Sequence, residues 1–284
     1  MKARLHRIAP MAVFLLSVCA SPAVWAGPYA PPAGQAGSTA IDQASPLIIN
    51  WATGFQDLMR GPHNIVNSSP LASFGTGNNA LGPATSSTSN VVSLGDGGRI
   101  TLTFSAPITD GPGPDLAVFE NSFSDQFLEL AFVEVSTNGS DFVRFPAMSL
   151  TPTVSQIGSF DPLDATDLNN LAGKYRGGFG TPFDLSEVRG LSPLVDVDHI
   201  FYVRIVDVIG TIDPTYATRD AAGNIINDPY PTAFASGGFD LDAVGVLHQT
   251  PEPGTLALCL CGVIGLLGWR RWQGHGQAST ARRT

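Results

Sequence analysis

Cysteine is nearly missing from this chain. The 284 residues hold three, Cys19, Cys259 and Cys261, and all lie in apolar runs near the two ends. The long stretch between them has none. That excludes a disulfide framework, a cysteine-ligated zinc site and a thiol nucleophile there. Stability must come from a hydrophobic core, and about 200 residues suffice to build one in a single domain. Basic residues are also scarce. Of 15 Lys and Arg, three precede residue 8 and four lie at or after Arg270, which leaves eight against 24 Asp and Glu. The central region therefore carries a net charge of −16. Such a surface offers little to neutralise phosphates, which argues against nucleic acid or anionic lipid as partner.

Catalytic signatures are missing too. The chain has no Gly-x-Ser-x-Gly elbow, no His-Glu-x-x-His and no P-loop. Gly75-Thr-Gly77-Asn-Asn-Ala80 is half of a dinucleotide fingerprint set among loop residues, and reads as a loop. His63, His199 and His248 are isolated and read as structural. Paired carboxylates could hydrolyse glycosides, but no spacing singles out such a pair. Nor is any apolar run long. Ile8–Cys19 and the run inside 255–269 both fall short of the roughly 20 residues that span a bilayer.

What is present at the ends is organised. Lys2, Arg4 and Arg7 precede the first apolar run, and Val24-Trp25-Ala26 offers small residues for signal peptidase, so cleavage is expected after Ala26. At the other end Pro251-Glu252-Pro253 is followed by an apolar segment, then Arg270-Arg271 and a polar tail. The expected division is a signal peptide over 1–26, a Gly/Pro/Ala/Ser-rich flexible leader over 27–45, one domain over 46–249 and a sorting region over 250–284. Helices are expected in the signal and in the C-terminal apolar segment.

Strand patterns dominate the domain. Arg99–Phe104 alternates, with Ile100, Leu102 and Phe104 on one face. Leu116–Phe119 and Leu128–Ser136 are strand candidates, and Asn138-Gly139 is a hairpin turn into Phe142–Phe145. Leu47–Trp51 and Ala243–Leu247 are short strand candidates, and Ile200–Ile209, apolar on both faces, predicts a central strand covered on both sides. Gly54–Arg60 suggests one helical turn. Ala165–Ala172, with Asp164 as N-cap and Gly173 as stop, is the one helix candidate. Short strands separated by Gly, Pro and Asx turns predict an all-β sandwich.

Four acids interrupt apolar strand faces: Glu120, Asp207, Asp240 and Asp242. A buried carboxylate is costly unless it is paired, hydrogen-bonded or bound to metal, and few cations are available. Structural Ca²⁺ is the expected cofactor, set against the plainer reading that each acid caps a loop or pairs with Arg99 or Arg204. Asp161, Asp164 and Asp167 read as turn and cap residues before a second cation site. Tyr216 and Tyr230, with Phe234 nearby, are candidates for stacking on sugar rings, set against the plainer role of anchoring a long loop.

Three stretches carry resemblances. Pro251-Glu252-Pro253, the apolar run and Arg270-Arg271 resemble the PEP-CTERM sorting signal, which implies processing by an exosortase-type enzyme, transient membrane association and a bacterium with an outer membrane. The tail from Trp272 to Thr284 is longer than such signals usually carry. Val92–Phe104, Gly113–Asn121, Gly177–Leu185, Val203–Asp207 and Gly238–Gly245 resemble bacterial exported cell-surface proteins of unassigned activity. Val133–Phe142 followed by Tyr202-Val-Arg-Ile resembles galactose-binding-like jelly rolls, which implies a fold and not a ligand. In carbohydrate-binding jelly rolls a structural calcium sits against an Asp of the last strand, the place that resemblance gives Asp242. The expected role is a non-catalytic surface or matrix protein that binds exopolysaccharide, with a polysaccharide hydrolase or a purely structural envelope protein as alternatives.

Overall fold

The computed structural model describes residues 27–67 and 70–250. The signal peptide with Ala26, and the sorting motif of Pro251, Glu252, Pro253, Arg270 and Arg271, lie outside the described residues, as do both expected terminal helices.

The described chain is all-β. Its strands in chain order are β1 (Ile41–Asp42), β2 (Asn50–Trp51), β3 (Gly54–Met59), β4 (Val92–Ser93), β5 (Arg99–Ile108), β6 (Leu116–Glu120), β7 (Ala131–Ser136), β8 (Val143–Arg144), β9 (Met148–Ser149), β10 (Leu168–Asn169), β11 (Phe179–Phe183), β12 (Ile200–Asp207) and β13 (Asp240–Val246). Every pairing is antiparallel. One sheet runs β3-β5-β12-β7-β8, and the other β1-β11-β6-β13-β2 with β4 also on β13. β9 and β10 form a separate ribbon.

Alternation sets which residues meet. Val203 of β12 lies between Leu102 of β5 and Val135 of β7, and Ile205 between Ile100 and Val133. In the second sheet Val244 opposes Val118, and Val246 opposes Leu116. All ten side chains are buried in one cluster shared by both sheets. Each contributes about 1.5–3 kcal/mol by leaving water.

Four sequence expectations change here. The stretch 27–45 is no detached leader. Ile41 and Asp42 pair with β11, the Thr39 hydroxyl lies 2.8 Å from the Tyr175 hydroxyl, and Ala33 is buried with its carbonyl bound by Arg176. Ile41, Ile48 and Trp51 cover the outer face of β6 and β13, where Trp51 meets Phe119 at 5.4 Å. Gly54–Met59 is a strand and not a helical turn, because the edge of β5 takes it as a partner. The helix expected over Ala165–Ala172 stops after a 3-10 turn at Ala165–Asp167. Asp164 caps that turn by accepting from Thr166 N–H, but the following backbone pairs with β9 and, at Ala172, with Ala131. Asn170 has a positive φ of 51°, which a helix does not allow. β12 is central, yet only one face is fully buried. On its other face Tyr202, Arg204 and Val206 are half-buried, and Arg204 lies over the Phe142 ring at 3.5 Å. The longer strands buried on both faces are β6 and β13, and the two-residue β4 is buried likewise.

Candidate functional site

β6 ends at Glu120, and the chain then turns tightly. Ser122 N–H donates to Glu120 Oε2 at 2.7 Å. The Ser122 hydroxyl donates to the Ser124 and Phe127 carbonyls, and Phe127 N–H donates to Ser124 Oγ at 3.0 Å. This knot brings Phe123 onto Phe127, with ring centroids 4.3 Å apart. A second loop is tied to the knot by Leu163 N–H on the Gln126 carbonyl, 2.8 Å. It places Phe160 at 5.8 Å from Phe127. A third loop is tied to the second by Ser159 Oγ on the Pro231 carbonyl, 2.5 Å. It places Phe234 at 5.8 Å from Phe160. Three loops thus align four phenylalanines, of which Phe123 and Phe160 are 69% and 67% exposed. An apolar row of that size on a surface calls for an occupant.

The row walls a cleft of about 380 Å³ whose base holds Glu129 and Asp240. Thr88, Asn121, Ser159, Thr232 and Ser236 complete the lining. Asp240 begins β13 and accepts from the Ser93 hydroxyl and from Asn121 Nδ2 at 3.3 Å. Glu129 is only 7% exposed, and its carboxyl makes no hydrogen bond or ion pair among the described residues. A carboxyl in that state is an expensive one to keep. Its backbone is pressed by Gly173, whose φ is +81°, and a Cβ added there would meet the Glu129 carbonyl at 1.8 Å.

More carboxylates lie behind the cleft. Glu120 is 1% exposed and its Oε1 has no partner. Asp228 accepts from Leu130 N–H through Oδ2 and leaves Oδ1 without a partner. Burial pushes Glu120, Glu129, Asp207 and Asp228 well above the usual carboxylate range, and repulsion from neighbouring carboxylates, Asp240 for the two glutamates and Asp96 for the two aspartates, adds to it. Asp240 is raised to about 6 by burial, opposed by the Ser93 and Asn121 bonds and by the nearby Arg60. Among the described residues Arg60 acts on Asp240 through its charge without forming an ion pair with it. Its own donors are held by the Phe74, Gly75 and Ser93 carbonyls.

The four acids named as calcium candidates are not gathered into one ligand set. Glu120 and Asp240 lie together at the cleft. Asp207 accepts from Gly97 N–H at 2.9 Å and Phe239 N–H at 2.7 Å. Asp242 accepts from Thr85 and Ser86 N–H and from the Thr85 hydroxyl, pinning another loop. Among the described residues the one group with three carboxylate oxygens within 4.8 Å is Asp110, Asp115 and Asp184. Most of its oxygens face Arg189, His248 and the N–H groups of Gly111, Leu185 and Ser186, while Asp110 Oδ1 is buried without a partner among the described residues. Glu120, Asp207, Asp240 and Asp242 thus do not converge on one point as the oxygen ligands of a single Ca²⁺ would.

Other expected residues fall elsewhere. Tyr230 anchors its loop by donating to Asn64 Oδ1 at 2.8 Å. Tyr216 closes a turn through its N–H on the Asp213 carbonyl, 3.0 Å. Neither lines the cleft; Phe234 does. Asp161 accepts from Gly158 N–H, a turn role like that of Asp164. Among the residues missed, Glu129 had a readable signal: it interrupts Leu128–Phe132 as Glu120 interrupts its own strand. Phe123, Phe127 and Phe160 sit in polar loops, and only the fold brings them together. Comparison with protein-family models, curated proteins and solved structures finds no match.

Proposed function

We propose that this chain is an exported, non-catalytic surface or matrix protein, sorted by an exosortase-type system, whose galactose-binding-like jelly roll binds exopolysaccharide in the phenylalanine-walled cleft. The observation that carries the reading is the cleft itself: an exposed row of four rings above an unpartnered buried carboxyl. Aromatic surface suits the apolar faces of sugar rings. Carboxyl, amide and hydroxyl groups suit their polar edges, and the volume lies in the range of about 300–1,000 Å³ usual for small-ligand sites.

Binding of the full chain to a glycan array and to exopolysaccharide tests this. The wild-type chain is expected to be retained. Phe160→Ala, at an exposed ring whose removal leaves the core intact, is expected to weaken binding at least about tenfold, or roughly 1.4 kcal/mol. Absence of any glycan ligand sinks the proposal. A hydrolase is the second reading, favoured by two carboxyls reaching one cleft. It requires release of reducing ends that Glu129→Gln abolishes.

A further inference from the structure

The cleft shows an imbalance of charge that the glycan reading leaves unexplained. Glu129 and Asp240 face into it, and Glu120 and Asp228 stand behind them. Among the described residues no Lys, Arg or His lines the cleft. Arg60, the cation that acts on Asp240, has its donors held by three backbone carbonyls. A neutral sugar hydroxyl could hydrogen-bond to Glu129, but it would do nothing to favour the ionised carboxylate that burial and the neighbouring acids disfavour. An ammonium group would do both, since a charge-assisted hydrogen bond is roughly twice as strong as a neutral one. Aromatic surface also attracts a cation through the ring quadrupole.

Resting on the glycan reading, we propose that the cleft takes a cationic glycan: a hexosamine polymer whose amino groups are free, with an ammonium seated between Glu129 and Asp240 and its sugar rings along the phenylalanine row. Three features select this occupant. Successive rings are tilted by 15°, 25° and 36°, so they form a continuous wall. A box of perpendicular rings would instead suit a single round quaternary ammonium. Thr88, Ser159 and Ser236 add hydroxyls to the lining, matching a polyhydroxylated ring better than the plain methylene stem of a lysine. A bare divalent cation lacks convergent donors, because the three-carboxylate group among the described residues lies elsewhere, at Asp110, Asp115 and Asp184.

Calorimetric titration of the full chain at pH 7 separates the possibilities. The ligands are a glucosamine tetramer, its fully N-acetylated counterpart and a lysine-containing tetrapeptide of equal charge. The amine tetramer is expected to bind at least tenfold tighter than the acetylated one and than the peptide. Glu129→Gln, which keeps the side-chain shape, is expected to erase that preference without lowering the thermal melt. Phe160→Ala should weaken both sugars together. Equal binding of the two sugars overturns the cationic inference and leaves the glycan reading standing. Binding of neither overturns both. A peptide bound as tightly as the amine sugar reassigns the cleft to a basic protein partner and overturns the inference. An amine preference that survives in Glu129→Gln means general attraction to an acidic surface, and overturns it as well.

Discussion

Asp240 is 7% exposed and sits beside Glu120, whose charge opposes its own. Its carboxyl titrates near 6 in the folded chain instead of 3.8, chiefly because burial disfavours the charged form. The folded state therefore holds a proton that the unfolded state has released across that window. Stability from this group is full below about 3.8 and is lost as pH rises through about 6. Asp96, also near 6 through burial, acts in the same direction. Asp240→Asn removes the charge. It also trades one acceptor oxygen for an amide that meets the Asn121 amide poorly, which offsets part of the gain. The variant is expected to be more stable than wild type at pH 7 by about 1–2 kcal/mol, with the difference vanishing near pH 4. Urea denaturation at both pH values measures it, and a lower midpoint for the variant at pH 7 would refute the argument. A side chain that destabilises the empty protein at neutral pH fits a group kept for what it binds.

Among the elements, legibility followed periodicity. β5, β6, β7, β12 and β13 were readable because their apolar residues alternate or run together over five or more positions. The bulge in β13 was not. A register shift between Leu241 and Ala243 puts Leu241 in the central core with Val244 and Val246, so Asp240 and Asp242 do not simply continue that face, as strict alternation would have it. β1 was hidden for another reason. Two residues carry no period, and Pro- and Gly-rich composition suggested freedom where tertiary pairing gave order. The site was legible in part: Glu120 and Asp240 stood out as acids on apolar strands, whereas the phenylalanine row depends on three loops distant in sequence. The N-terminal stretch gives a direct prediction. A chain that begins at Pro46 loses the β1–β11 pairing, the Thr39–Tyr175 contact and the apolar cover from Ile41. Relative to one that begins at Gly27 it is expected to melt several degrees lower, at about 2–4 °C per kcal/mol lost. Equal melting temperatures would restore the detached-leader reading.

At the scale of the whole molecule, the central region's charge of −16 keeps copies of the chain apart by their own repulsion. Among the described residues no helix is long and apolar enough to cross a membrane. The C-terminal apolar segment over 255–269 has 15 residues. That is fewer than the roughly 20 apolar residues that span a bilayer. Under the proposed sorting, this segment, ended by Arg270-Arg271 and preceded by Pro251-Glu252-Pro253, would reside in the membrane briefly and then be removed. In cells that carry an exosortase-type enzyme, the surface form of this protein is therefore expected to have a mass lacking the residues beyond the Pro-Glu-Pro motif. Replacing Arg270 and Arg271 by alanine takes away the basic stop that fixes the segment's orientation. The unprocessed chain should then accumulate in the membrane fraction while the folded domain keeps its melting temperature. Equal release of the variant, or a surface form that retains Arg270 and Arg271, would remove the sorting argument. The cleft and its proposed glycan would still stand on their own geometry.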